Sequence, residues 1–128
     1  MYSKKVLQRF QKPKFAKKMK DPSSKGKVGN TKCGDIMEIF IKVKTDKNGD
    51  EIIKDISFLT YGCVAAIAST DYLCEIAKGK TLEKALKITS KDVVKKMGSV
   101  PAIKLHCSVL AQKALKEAIE EYKNKKEK

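Results

Sequence analysis

The stretch IMEIFIKVKTDKNGDEIIKDISFLTY, residues 36–61, decides the architecture. In its first half Met37, Ile39, Ile41 and Val43 alternate with Glu38, Lys42 and Lys44, the period of a half-buried strand, and Phe40 is the one apolar residue on the polar side. TDKNGDE then supplies Asn48 and Gly49, residues that tolerate the positive φ of a tight hairpin turn. EIIKDISFLTY, residues 51–61, reads as the return strand. A tight hairpin brings its two open ends together. Cys33 stands just before the first strand and Cys63 just after the second, so two thiols are expected at one edge of a sheet.

Downstream the period changes to that of helices. VAAIASTDYLCEIAKG (64–79) ends on Gly79, which suits the C′ position of a helix. TLEKALKI (81–88) opens with Thr81 as a cap candidate, and TSKDVVKKMG (89–98) offers Ser90 as a cap and stops near Gly98. Pro101 keeps SVPAIK extended. The last helix is expected from about 105 to 123, with Cys107, Leu110, Ala111, Ala114, Ala118 and Tyr122 on one stripe. Upstream, residues 1–32 mix lysines with KP, DP, SSKG and VGN and read as an irregular arm holding one short helix near 3–10. The expected fold class is α+β: a small antiparallel sheet of about three strands with helices packed on one face. Its organisation is a single domain over 1–128, with a basic arm at 1–32 and a lysine-rich tail at 123–128.

The chain has 128 residues, enough for one modest core. No run of 18 apolar residues is present and the basic start has no continuous apolar segment, so a soluble, cytoplasmic protein is expected. The net charge of +14 is uneven: ten bases and one acid give +9 over residues 1–28, four lysines and one Glu give +3 over 123–128, and the middle carries the remaining +2. Such ends attract anionic partners. Arg9 is the sole arginine, and arginine is the usual bidentate reader of guanine, so nucleic acid is disfavoured as a partner.

Cysteines stand at 33, 63, 74 and 107, none in a C-x-x-C pair. In KCGD, Gly34 separates Cys33 from Asp35, leaving thiolate and carboxylate close enough to reach one metal. YGC repeats the glycine before a thiol at Cys63. LHC places His106 and Cys107, the only histidine beside a cysteine, at a helix start, where the helix dipole favours the thiolate. Lys104 adds a nearby positive charge. Cys74 lies eleven residues after Cys63, roughly 16 Å along a helix axis, too far to share a metal, and reads as core filling. Cys33, Asp35, Cys63, His106 and Cys107 are thus five candidate donors for a metal site that needs four.

VGNTKCGDIMEIFIKV, TYGCVAAIAST, KGKTLEKALKIT and KLHCSVLAQKALKEAIEEY resemble the iron–sulfur cluster assembly scaffold family, IscU and the N-terminal domain of NifU, and the opening MYSKKV is similar too. The ordered triple CGD, GC and HCS carries the likeness. It implies a non-enzymatic scaffold that accepts persulfide sulfur from a cysteine desulfurase, binds iron, assembles a labile [2Fe–2S] cluster and transfers it to apo-proteins. On that resemblance the cluster ligands are Cys33, Cys63 and Cys107, and Asp35 and His106 complete the metal site. Asp35 is expected to keep the cluster labile and Cys107 to accept the persulfide. Zn²⁺ is an alternative occupant of the isolated protein, and a zinc-bound, SufU-like sulfur-transfer protein is the alternative function. The SufU branch has an extra segment between the second and third cysteines; here 63–107 holds, after the helix at 64–79, only two short helices, and the stand-alone IscU-like form is expected. A homodimer is an open alternative. Three positions depart from the family: its chaperone-docking LPPVK reads VPAIK at 100–104, which weakens the expectation of an Hsp70-type chaperone partner, the glycine after the second cysteine is Val64, and NPRN reads KPKF at 12–15.

Overall fold

The computed structural model describes residues 4–30, 35–60, 64–97 and 105–127. A short helix α1 (Lys4–Gln11) precedes three strands, β1 (Ser24–Asn30), β2 (Asp35–Thr45) and β3 (Glu51–Thr60). Four helices follow: α2 (Val64–Ala77), α3 (Leu82–Leu86), α4 (Ser90–Met97) and α5 (Leu105–Glu127). The sheet is antiparallel in the order β1-β2-β3.

The alternation of β2 sets which face is dry. Met37, Ile39 and Ile41 are buried and oppose Thr60, Phe58 and Ile56 of β3. This face carries α2 and α5, which supply Ala68, Leu73, Cys74, Ala77, Ala111, Ala114, Leu115, Ala118 and Ile119 to one core. The burial of these aliphatic side chains, each about 1.5–3 kcal/mol relative to exposure, is the main stabilising term. Phe40 points to the other face as its parity requires, yet it is only 3 % exposed, lying between its cross-strand neighbours Lys25 and Ser57.

Two local expectations, the irregular arm and the Ser90 cap, need correction. The segment 1–32 is not irregular throughout, because Ser24–Asn30 forms the third strand in register with β2 from Ser24↔Ile41 to Asn30↔Asp35. Its core-facing positions are Ser24, Gly26 and Val28, small residues that carry no strong hydrophobic alternation. They are small because α5 lies almost on the strand backbone: a Cβ at Gly26 would overlap the Ala114 carbonyl oxygen and the Ala118 amide nitrogen. The hairpin expected at TDKNGDE is present. Residues 46–50 form a loop closed by Asp46 N–H donating to the Asp50 carbonyl (2.8 Å), and Asp46 Oδ1 accepts from the Asn48 and Asp50 amides. Only Gly49 takes the left-handed conformation there, at φ +87°. The return strand ends at Thr60, with Tyr61 outside the described residues. Finally, α4 is capped by Thr89 and not Ser90: Thr89 Oγ1 accepts from the Asp92 amide and Asp92 Oδ2 accepts from the Thr89 amide, a reciprocal capping box.

The outer edge of β3 is covered at both ends, which removes a template for strand addition. Near its start, Ile53 N–H donates to the Lys80 carbonyl and Gly79 N–H donates to the Ile53 carbonyl. Gly79 has φ +86°, so it turns the chain out of α2 and at the same time docks it on β3. Near its end, Phe58 N–H donates to the Phe15 carbonyl (2.9 Å). Thr81 caps α3 through its side chain, as its position suggested.

Candidate metal centre

The strand register defines one end of the sheet. Asp35 opens β2 opposite Asn30, and Thr60 closes β3 opposite Met37. Cys33 precedes Asp35 by two residues and Cys63 follows Thr60 by three; both lie outside the described residues, as does Gly34. The connections that carry these cysteines therefore leave and enter the sheet at neighbouring strand ends.

The direction of α5 brings a third element to the same end. Ser24 Oγ donates a 2.6 Å hydrogen bond to the Ala118 carbonyl, and two residues on Gly26 abuts Ala114. Moving along β1 toward Asn30 thus moves back along α5 toward its start. From Gly26 to Asn30 is about 13 Å of strand. From Ala114 back to Cys107 is about 10 Å of helix. The first turn of α5, which holds His106 and Cys107, accordingly lies at the level of the Asn30–Asp35 pair. Among the described residues no group of three or more His, Cys, Asp or Glu is placed to hold a metal.

Cys74 lies apart from this end. It is fully buried in the core on α2, and burial, followed by the charge of Asp71, pushes its thiol well above the usual range. A thiol held protonated in an apolar setting is neither a ligand nor a nucleophile, so its core-filling role stands. VPAIK at 100–104 lies outside the described residues, and Val64 is the first residue of α2.

One cluster was missed in the sequence. Arg9 Nη1 donates to Asp71 Oδ2 at 2.7 Å and Nη2 donates to Glu75 Oε1 at 2.6 Å, while the guanidinium sits 4.1 Å from the Tyr72 ring centroid. Lys96 adds a 3.0 Å contact to Glu75. Burial opposes ionisation of Glu75, but the hydrogen bonds from Arg9 and Lys96 outweigh it and hold the carboxyl below its ordinary value. The available signal was two acids, Asp71 and Glu75, about one turn apart in a largely apolar helix, in a chain with a single arginine. Being committed to two carboxylates, Arg9 is not available to read a base edge. No helix among the described residues is long and apolar enough to cross a membrane.

Comparison with known proteins identifies the family and the fold. The family model described as the NifU-like N terminal domain matches residues 1–128. The chain is 50 % identical over 122 residues to the iron–sulfur cluster assembly scaffold protein IscU 1 of Archaeoglobus fulgidus, covering 95 % of this chain and 76 % of the relative. It is 43 % identical over 130 residues to the scaffold protein IscU of Rickettsia prowazekii, covering 98 % of this chain and 95 % of the relative. Among solved structures, the SUF-system scaffold protein SufU of Fervidobacterium islandicum superposes with a TM-score of 0.71 at 22 % identity, covering 92 % of this chain and 96 % of that one. The NifU-like N-terminal structure from Brucella abortus gives a TM-score of 0.68 at 15 % identity, covering 96 % of this chain and 94 % of that one. At these identities the two structures speak for the fold.

Proposed function

The chain belongs to the NifU-like N-terminal domain family, and on that footing we propose that it is an iron–sulfur cluster assembly scaffold whose cargo is held by Cys33, Cys63 and Cys107 with Asp35 and His106 beside them. The observation that carries the reading is the meeting of three chain segments at one end of the sheet: the start of β2, the end of β3 and the first turn of α5. Thiolates from such segments suit iron and sulfide, and the mixed Cys/Asp/His set suits Zn²⁺ as well. The protein is a carrier and not an enzyme: it is loaded, then emptied into an apo-protein.

Sulfur arrives as a desulfurase persulfide. The Cys107 thiolate attacks the outer sulfur, a new S–S bond forms, and the desulfurase cysteine leaves as a thiolate. Reduction of that sulfur to sulfide takes two electrons, so an external electron donor belongs to the cycle. Asp35 is a hard oxygen donor among soft ones and a poorer match to a cluster, so it keeps the cargo exchangeable. His106 and Cys107 are adjacent on one turn and alternate as ligands, one holding metal while the other carries sulfur. The partners are a cysteine desulfurase and apo iron–sulfur proteins in the cytoplasm.

Anaerobic reconstitution with iron, cysteine and a desulfurase tests the reading. Visible iron–sulfur absorbance that moves to an apo-ferredoxin is the expected result; stable zinc with sulfur turnover and no cluster would mean a sulfur-transfer protein instead. Asp35→Ala is expected to lengthen the life of the coloured cluster, and unchanged decay and transfer rates would reject its labilising role. A sulfur adduct found by mass spectrometry only on Cys33 or Cys63 would reject Cys107 as acceptor.

A further inference from the structure

Asp71 is the one carboxylate in the described core, fully buried on α2, and it accepts two hydrogen bonds from the N-terminal segment. One comes from Arg9 of α1; the other comes from the Phe15 amide, at 2.8 Å, to Oδ1. The same residue, Phe15, accepts from the Phe58 amide of β3 through its carbonyl, and Ala16 forms a parallel bridge with Phe58. One peptide segment is therefore bonded on one side to α2 and on the other to β3. These are the two elements that the connection 61–63, with Cys63 at its end, joins.

The chemistry of this staple is not that of a surface ion pair. Asp71 has no exposure and the Arg9 side chain 13 %, so the pair is nearly dry. Two separate donors occupy the two oxygens of one carboxylate, which fixes its orientation as well as its charge. Arg9 is fixed in turn by Glu75 and by the face of Tyr72. Removal of either partner leaves an uncompensated charge or an unpaired amide in the interior. Beside the direct packing of α2 on the sheet, the docked N-terminal segment thus adds a second tie between β3 and α2.

We propose that Asp71, held by Arg9 and bonded to Phe15, is a positioning residue for Cys63: it sets the separation of the strand end and helix start between which that ligand is strung. The consequence is a thermodynamic link between the basic N-terminal segment and the metal centre. Whatever draws α1 off α2 weakens metal binding at Cys63, and metal binding tightens the docking of α1 by the same factor. The proposal rests on the assignment of Cys63 as a ligand for its metal arm only; its geometric arm does not need that assignment.

The test compares wild type with Arg9→Ala, Arg9→Lys and Asp71→Asn, and with Leu82→Ala as a destabilised control in α3, away from the staple. In metal-free protein, at a temperature where circular dichroism shows all of them folded, the alkylation rates of Cys33, Cys63 and Cys107 are read separately by mass spectrometry. Co²⁺ is then titrated and the thiolate-to-metal charge-transfer band recorded. Arg9→Ala and Asp71→Asn are expected to change the Cys63 rate relative to Cys33 and Cys107, and to lower Co²⁺ affinity by about tenfold, the scale of losing a supporting contact behind a metal ligand. Arg9→Lys keeps the charge and is expected to recover part of both. An unchanged Cys63 ratio in Arg9→Ala and Asp71→Asn, or the same change in Leu82→Ala, overturns the proposal. A wild type that binds no Co²⁺ overturns the metal-centre reading and leaves the alkylation ratio to decide this one.

Discussion

Gly26→Ala is the sharpest perturbation of the α5–β1 interface. At this position the missing Cβ is what lets the helix backbone approach the strand: an added methyl would overlap the Ala114 carbonyl oxygen and the Ala118 amide nitrogen and come within 2.9 Å of the Glu117 Cβ. The first two are backbone atoms of a helix and cannot rotate away, so α5 must shift outward by about 1 Å to restore ordinary contact. Overpacking of this kind costs about 1–3 kcal/mol. The shift also strains the buried Ser24 Oγ to Ala118 carbonyl bond, a further ~1 kcal/mol. Against this, alanine restricts the unfolded chain by about 0.4–1 kcal/mol. The net loss is about 2–3 kcal/mol, or roughly 10 °C in Tm for a domain of this size. Thermal unfolding of the metal-free protein by circular dichroism measures it. Gly49→Ala is the matched control: nothing lies within 4 Å of its added Cβ, so only the left-handed backbone at φ +87° is penalised, at about 1–2 kcal/mol. A Gly26→Ala protein that melts within 2–3 °C of wild type would refute the close approach of α5 to β1. The direction of α5 and the level of His106 and Cys107 relative to Asp35 would fall with it.

Cys74→Ala should lose about 1–2 kcal/mol from a small cavity yet leave metal stoichiometry unchanged, and in wild type Cys74 should resist alkylation until the protein unfolds. The hydrogen bond with Glu51, reinforced by burial, raises Tyr122 to about 12; a proton held more tightly in the folded state means that stability is full below pH 10 and falls as pH rises from about 10 to 12. Tyr122→Phe should flatten that alkaline limb in a series of melts. Glu75, held below its ordinary value, behaves oppositely: its contribution is present above pH ~4.5 and is lost as pH falls further, so Glu75→Gln should show a shallower acid limb than wild type.

What could be read from the sequence follows the side-chain period. β2 and β3 announce themselves because one face is packed with Ile, Met and Phe, and the α5 stripe is visible because Ala111, Ala114 and Ala118 recur on one side. β1 is silent for a physical reason: the closer a helix lies to a strand, the smaller the residues between them must be, and Ser24 and Gly26 carry no hydrophobic signal. The Thr89 cap was one residue from the expected Ser90 because both hydroxyls precede a helix-forming run, and the deciding contact is the return bond from Asp92. The hairpin was legible from Asn48 and Gly49, but the Asp46 side-chain oxygen that bonds two of its amides carries no pattern of its own. The proposed donors stand in short words (CGD, GC, HCS), whereas the Arg9–Asp71 pair gave no such signal: its members are 62 residues apart and neither belongs to a local pattern.

The distribution of these contacts suggests how a carrier of this kind is built. A permanent metal site is best made from donors fixed on rigid elements. Here the fixed parts are the elements on either side of the donors: Gly26 and Ser24 lock α5 to β1, the register locks β1 to β2 and β2 to β3, and Phe15 with Asp71 locks β3 to α2. The proposed ligands then stand on the short connections 31–34 and 61–63 and at the first turn of a helix. Metal bound there cross-links segments 30 and 44 residues apart in the chain, at Cys33, Cys63 and Cys107, so part of its binding energy appears as stability of the fold. The contacts that tie the frame, at Gly26, Ser24, Phe15 and Asp71, involve none of the proposed ligands, so release of the cargo removes the cross-link and leaves these contacts in place.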